Sequence, residues 1–364
     1  MYKEVFRPLL FKSNPETIHE ATLAALKVAE SSPFLRQFLR KIFEYRDPRL
    51  EVELFGLSFK NPLGLAAGYD KNAEVVNALS TLGFGHLEIG TVTPFPQEGS
   101  PRPRIFRLPQ DKAAINRMGF PNQGAEKFCQ NLTKHNKESS VLGINIGKGK
   151  DTLIEKASED YTYLLEKVFP YADYIAVNVS SPNTVGLRQL QAKELLSNLL
   201  SQVREKNLET AKQRSVKALP ILVKIAPDLT WSELDDILEI IMAERVDGLI
   251  ATNTTIQRPV FLKNSLRTEV GGLSGKPLKA RSTEIIRYAF QRTERKLPII
   301  GVGGVFDFRD VIEKIAAGAS LIQVFTGLAY EGPFMVKTIN RSLVSYMESL
   351  GISSIAELKG TKPF

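Results

Sequence analysis

The chain has 364 residues, 43% of them apolar and 24% charged, with 25 Gly, 20 Pro, three His and a single Cys. That apolar share excludes a disordered or collagen-like chain, and the lone Cys129 excludes an internal disulfide or a cysteine-built zinc site. The 48 Lys and Arg outnumber the 40 Asp and Glu, net +8, which suits an anionic ligand or surface; no long basic run with interleaved aromatics points to nucleic acid.

In chain order, the opening MYKEVFRPLLFKSNPE has neither the apolar core of a secretory signal nor the acid-poor, Arg/Ser-rich composition of an organelle presequence. The expectation is a mature start at Met1 in a reducing compartment. No run of 18 apolar residues follows, so no spanning helix is expected, and His19, His86 and His135 have no metal-binding spacing. A helix is predicted over about 15–30, with Asn14 as N-cap and Pro15 in the first turn. Ile18, Thr22, Ala25 and Ala29 share one side of it, adjoined by His19 and Leu26. A second helix starts after Ser32-Pro33, where Phe34, Leu35, Phe38, Leu39, Ile42 and Phe43 form one apolar stripe, with Arg36, Arg40, Lys41 and Glu44 on other faces. Residues 1–46 carry eight Lys or Arg against five Glu. The stripe admits two readings: packing on the rest of the protein, or lying in a bilayer headgroup layer, which three Phe and basic flanks suit.

Composition shifts near residue 50. From there eight apolar runs alternate with helical stretches: 62–68, 86–92, 142–147, 174–180, 220–227, 248–254, 298–304 and 321–327. Eight strand–helix units predict an α/β fold, a closed (β/α)₈ barrel over 47–364 carrying the 1–46 helical pair as an extension, with a doubly wound open sheet as the alternative. The long intervals 93–141 and 255–297 exceed one helix and predict insertions at the barrel mouth. Alternation sets Tyr174, Ala176 and Asn178 opposite Ile175, Val177 and Val179, and Gly143, Asn145 and Gly147 opposite Leu142, Ile144 and Ile146. With the branched face outward, small and polar residues line the mouth, which predicts a flat, bulky ligand there.

Four constellations could carry chemistry. In NVSSPNT (178–184), Asn178 can bond a planar heterocycle and Ser181 can act as proton acceptor, or the segment is a helix-capping turn; no GxSxG elbow supports a hydrolase. Lys71 ends the first strand and Lys224 lies inside the fifth, which suggests an anionic cofactor or substrate, or a Schiff base, unless one snorkels to the surface. NRMGF (116–120) offers an amide, a guanidinium and exposed backbone beside an aromatic. GGLSG (271–275), GVGG (301–304) and FTG (325–327) supply bare N–H groups after strands six to eight, where barrels bind phosphate.

The ordered run of PLGLAAGYDKN, EIGTVTP, PRIFRL, INRMGFPN, GINIGK, VNVSSPNT, VKIAPDL, ATNTT, GGLSGKPL and GVGG resembles the membrane-associated (class 2) dihydroorotate dehydrogenases over essentially the whole chain. The resemblance implies an enzyme that oxidises (S)-dihydroorotate to orotate in pyrimidine synthesis, with FMN as bound carrier and a membrane quinone as acceptor. It implies Ser181 as the base for the C5 proton, where the soluble class has cysteine. It implies substrate contacts from Lys71, Asn116, Arg117, Met118, Gly119, Phe120, Asn178, Asn183, Asn253 and Thr254. The FMN shell it implies comprises Ala67, Gly68, Lys71, Thr91, Asn145, Asn178, Lys224, Thr252, Gly275, Gly304, Phe325 and Thr326, with phosphate at the glycines and Thr326. Lys224 would stand at the flavin N1–C2 edge, and His19 and Arg107 in a quinone tunnel between the N-terminal helices. Phe325 departs from the family's usual tyrosine, so a hydroxyl near the quinone is lost. The implied setting is peripheral, at the cytoplasmic side of a cell (inner) membrane, as a monomer. Competing readings are another FMN barrel, either a soluble fumarate-reducing relative or a tRNA-modifying flavoenzyme, and a non-catalytic flavin-storing protein.

Overall fold

The computed structural model describes residues 2–135 and 140–361. Its centre is a closed barrel of eight parallel strands: β1 (Leu63–Leu65), β2 (His86–Val92), β3 (Val141–Ile146), β4 (Tyr174–Asn178), β5 (Ile221–Ile225), β6 (Gly248–Ala251), β7 (Ile299–Val302) and β8 (Leu321–Val324). They pair in chain order and β8 closes on β1. Each of the eight apolar runs supplies one strand.

The alternation works as expected. Ile144, Val177, Val223, Leu249 and Ile322 face outward into the large core shared with the surrounding helices. Inward residues form a second cluster of Phe59, Ala66, Tyr174, Ala176, Leu222, Ile250, Ile300, Val302 and Leu321. That cluster fills the lower barrel, closed from below by the hairpin Val52–Leu54/Leu57–Phe59. Small residues at the lower levels are therefore occupied by neighbours: a Cβ on Gly143 would meet the Tyr174 ring, and one on Gly64 the His86 ring. The hollow is confined to the mouth.

Both long intervals hold insertions. Ile105–Leu108, Ala113–Asn116 and Gly272–Gly275 form a three-stranded antiparallel sheet with its own small core of Phe106, Leu108, Ala113, Ile115, Leu262 and Leu273.

The N-terminal segment forms α1 (Pro15–Ser31) and α2 (Pro33–Phe43). Asn14 Oδ1 accepts from Glu16 N–H (2.9 Å), and Ser32 Oγ from Leu35 N–H (3.2 Å), so each helix starts on a polar cap. Charged bonds tie α1 to the barrel. Buried Arg104 donates to Glu16 through Nε (3.0 Å) and Nη2 (2.8 Å), and Glu30 accepts from Asn77 Nδ2 (2.6 Å) and Ala78 N–H (2.7 Å). The stripe on α2 is split between packed and exposed residues. Leu35, Leu39 and Phe43 pack against the core, while Phe34 and Phe38 are 80% and 54% exposed.

Candidate active site

A cavity of about 1670 Å³, its open mouth included, occupies the C-terminal end of the barrel and runs beneath α1. Of the site residues that the resemblance implies, only Arg117 and Asn145 do not line it. The Arg117 guanidinium turns to Glu269 Oε2 (2.7 Å) and stacks on Phe106 (4.5 Å). Asn145 lies one layer behind the wall, where it orients other groups.

The floor is ionic. Glu88, inward on β2 and 1% exposed, accepts from Lys224 Nζ (3.0 Å), Asn145 Nδ2 (2.8 Å) and Gln323 Nε2 (2.7 Å). Burial pushes the Glu88 carboxyl up, but Lys224, Gln323 and Asn145 together hold it below the ordinary carboxylate range. This corrects the sequence reading of Lys224, whose anion was sought in a ligand. Glu88 was missed, although a carboxylate at inward parity in HLEIGTV is itself a signal that a buried cation must face it.

From Glu88 the bonds continue upward. Thr91 Oγ1 donates to Asn145 Oδ1 (2.5 Å), and Asn178 Nδ2 donates to Thr91 Oγ1 (3.0 Å) and Asn145 Oδ1 (3.1 Å). Thr91 reaches this position through a register shift in β2 at Gly90, where φ is +104° and a Cβ would stand 2.4 Å from Asn145 O. Only glycine permits that bulge.

The end formed after β6–β8 is bare backbone and hydroxyl. Gly275, Gly303, Gly304 and Thr326 line it, and Thr326 Oγ1 donates to Ser274 Oγ (2.8 Å). At Gly304 (φ +72°) a Cβ would stand 2.8 Å from Lys279 N, so no side chain fits that cradle. Gln323 Oε1 is buried at the cavity with no hydrogen-bond partner among the described residues, an acceptor free for a ring N–H. These features fit a flat heterocycle carrying a phosphate.

The opposite wall carries Ser181, Asn183, Asn253, Thr254 and Asn116. Asn183 Nδ2 donates to Asn116 O (3.2 Å) and its N–H to Ser181 Oγ (3.3 Å), while Ser180 Oγ donates to Asn178 Oδ1 (3.0 Å) and accepts from Asn253 Nδ2 (3.0 Å). Amides held this way donate and accept toward one planar face. Lys71 donates to Gly68 O (2.6 Å), and burial lowers its ammonium to about 8.

Beneath α1 the lining becomes apolar and aromatic. The His19 ring stands edge-on to Tyr69 (5.0 Å), whose ring is 6.4 Å from Phe325. Burial, with Lys71 nearby, lowers His19 to about 3, so its imidazole is neutral. Arg107 donates to Leu10 O (3.0 Å) and Ser13 O (3.1 Å) and lies over Phe11 (4.6 Å), which holds the N-terminal segment against the cavity.

Residues 49–347 match the family model described as dihydroorotate dehydrogenase. A Christiangramia forsetii protein named dihydroorotate dehydrogenase (quinone) is 51% identical over 94% of this chain and 99% of its own length. One of the same name from Gloeobacter violaceus is 50% identical over 97% of both. A crystal structure of DHODH from Eimeria tenella, in complex with ferulenol, superposes with a TM-score of 0.83 at 38% identity, covering 91% of this chain and 95% of that one.

Removing one partner of the floor pair leaves an uncompensated buried charge. Lys224→Met should lower the unfolding free energy by about 3–5 kcal/mol, and adding Glu88→Gln should recover much of it. Urea midpoints of the single and double variants check this; a double variant no more stable than the single would show that Glu88 is not the cost.

Proposed function

The chain belongs to the dihydroorotate dehydrogenase family, in its quinone-dependent class, and we propose that it oxidises (S)-dihydroorotate to orotate with FMN as bound carrier and a membrane quinone as acceptor, a step of de novo pyrimidine synthesis. One observation carries this reading: a single cavity joins the Ser181 wall, the glycine cradle and the His19–Arg107 end, so both half-reactions have access to one cofactor position. A fumarate-reducing or tRNA-modifying barrel has no use for the third of these.

FMN, when bound, supplies the acceptor for the C6 hydride and carries the electron pair onward. Gly275, Gly304 and Thr326 would hold its phosphate, and Ala67, Gly68, Thr91, Thr252 and Phe325 would bound the ring. Lys224 would place its cation at the ring's N1–C2 edge, where it favours an anionic reduced form; its charge is largely matched by Glu88, so its remaining N–H donors do most of that work. Ser181 takes the C5 proton. Asn116, Asn178, Asn183, Asn253 and Thr254 read the imide and carboxylate edges, Lys71 meets the carboxylate, and Met118, Gly119 and Phe120 close over the substrate. Arg117 acts from the side, through its ion pair with Glu269.

Residues 1–46 form the membrane-associating and quinone-admitting unit. No helix among the described residues is long and apolar enough to cross a membrane. Val5, Phe6, Leu9, Val28, Phe34 and Phe38 are exposed instead, and Phe34 and Phe38 share α2 with Arg36, Arg40 and Lys41, a pattern suited to peripheral attachment at an anionic cytoplasmic leaflet. We take the enzyme as a monomer there.

Ser181→Ala should retain yellow flavin while slowing its anaerobic bleaching by dihydroorotate about 10² to 10⁴-fold, since a general base is worth that much; unaltered bleaching would remove Ser181 from the role. Orotate affinity should fall as pH rises through about 8, because Lys71 is an ammonium below that point and an amine above it. The fall should vanish in Lys71→Met, and a pH-independent wild-type affinity would rule out the ion pair. Phe34→Glu with Phe38→Glu should abolish binding to anionic vesicles yet leave bleaching by dihydroorotate intact; retained vesicle binding would place the membrane face elsewhere.

A further inference from the structure

The stretch Ser181–Gly186 spans two buried residues, Ser180 and Leu187, with its tip Val185 83% exposed. One side chain outside the cavity ties down its base. Arg188, the first residue after Leu187, donates through Nε to Ser180 O (3.0 Å), through Nη2 to Thr254 O (2.9 Å) and through Nη1 to Asp228 Oδ2 (2.7 Å). Asp228 in turn accepts from Thr255 Oγ1 and from Ile256 N–H (3.1 Å). A planar fork thus closes the Ser181 loop on itself and rivets it to the segment carrying Asn253 and Thr254. Ser180 is the junction: its carbonyl is held by Arg188, while its hydroxyl orients both Asn178 and Asn253.

We propose that Arg188, held by Asp228, is a positioning residue that sets the Ser181 hydroxyl against the amides reading the substrate. This rests on the functional reading above. The Ser181 backbone begins at the carbonyl carbon whose oxygen Arg188 grips, and Ser181 Oγ has no carboxylate or imidazole partner among the described residues to hold it. Its aim therefore depends on the backbone. Arg188 acts on the proton-transfer geometry more than on affinity, because Asn178 and Asn183 also keep bonds to Thr91, Asn145 and Asn116 that do not pass through Ser180. A lysine cannot replace the fork, since one ammonium cannot meet three acceptors in that plane.

The test is anaerobic stopped-flow bleaching of the yellow holoenzyme by dihydroorotate, with orotate affinity read from the flavin spectrum, for Arg188→Met and Arg188→Lys alone and with Ser181→Ala. Arg188→Met should slow bleaching about 10- to 100-fold, the effect expected of a small misplacement of a reacting group, with Arg188→Lys between it and wild type. In the Ser181→Ala background, adding Arg188→Met should cost less than about threefold, because coupled residues are not additive; orotate affinity should move by no more than that in either background. Equal slowing in both backgrounds, or a loss confined to orotate affinity, overturns the proposal. Asp228→Asn, which keeps the size and one accepting oxygen, provides the same cycle should Arg188→Met not fold. A wild-type holoenzyme that dihydroorotate fails to bleach overturns the functional reading and the proposal with it, whereas normal wild-type bleaching with an additive cycle overturns the proposal alone.

Discussion

A carboxylate sealed inside an eight-stranded barrel must be matched or neutralised, and Glu88 is matched by Lys224 from the strand three places on around the wall. Such a pair contributes little net stability against an apolar substitute of equal size. What it provides is direction. Glu88 accepts from Asn145, which frees Asn145 Oδ1 to accept from Thr91 and Asn178, so the amide that faces the ligand is fixed by a line of bonds that begins at the ion pair. Every link is buried, and in that setting an unpaired member would be costly, so the line is made whole or not at all.

The pair also divides the barrel. Below it lie Tyr174, Leu222, Ile300 and Leu321, closed by the hairpin that carries Phe59; above it the lining brings glycine, amide and hydroxyl groups together with the apolar residues beneath α1. Apolar packing at the bottom keeps the strands in register, which lets the top remain open without loss of closure. The barrel glycines therefore act in two different ways: those low in the barrel, Gly64 and Gly143, admit a neighbouring ring, and those at the rim leave room for a ligand.

The fold was legible because its signals are periodic. Eight runs with a branched face and a small face could be counted without knowing how they meet, Asn14 marked the first helix start as a cap, and Ser32-Pro33 marked the second. Lys224, Asn145 and Asn178 were legible because a lysine or an asparagine inside an apolar strand is expensive and draws notice; most of the other candidate site residues were implied only by the family resemblance. Glu88 escaped because Lys224 was assigned an anion from outside, and pairing between strands five and two is a fact of barrel closure, invisible along the chain. Arg117 misled for the converse reason. It sits between cavity-lining Asn116 and Met118, yet its side chain follows the alternation of an extended segment and leaves the cavity for Glu269. Arg188 and Asp228 carry no sequence signal at all, since a charged pair forty residues apart reads as two solvated side chains.

Polarity changes along the one cavity, and the change suits the two molecules proposed to use it. At the Ser181 end stand the amides, matched to a planar pyrimidine acid. At the α1 end, burial works against charge: His19 is held neutral down to about pH 3 and the Tyr69 phenol is pushed up to about 12. Arg107, the charged exception, spends its donors on two backbone carbonyls and its face on Phe11. Beyond Lys71 a monoanionic pyrimidine acid gains little there, and a neutral, greasy acceptor loses little by leaving lipid for it. Phe325 extends the same logic. With no hydroxyl on that ring, the acceptor's carbonyls have one fewer donor, and shape against Tyr69 and Phe325 must do more of the positioning. The proposed access from the bilayer needs α1 and α2 to stay docked: α1 is held by the buried Arg104–Glu16 pair and the Glu30 bonds, and α2 by Leu35, Leu39 and Phe43, while its Phe34 and Phe38 stay exposed.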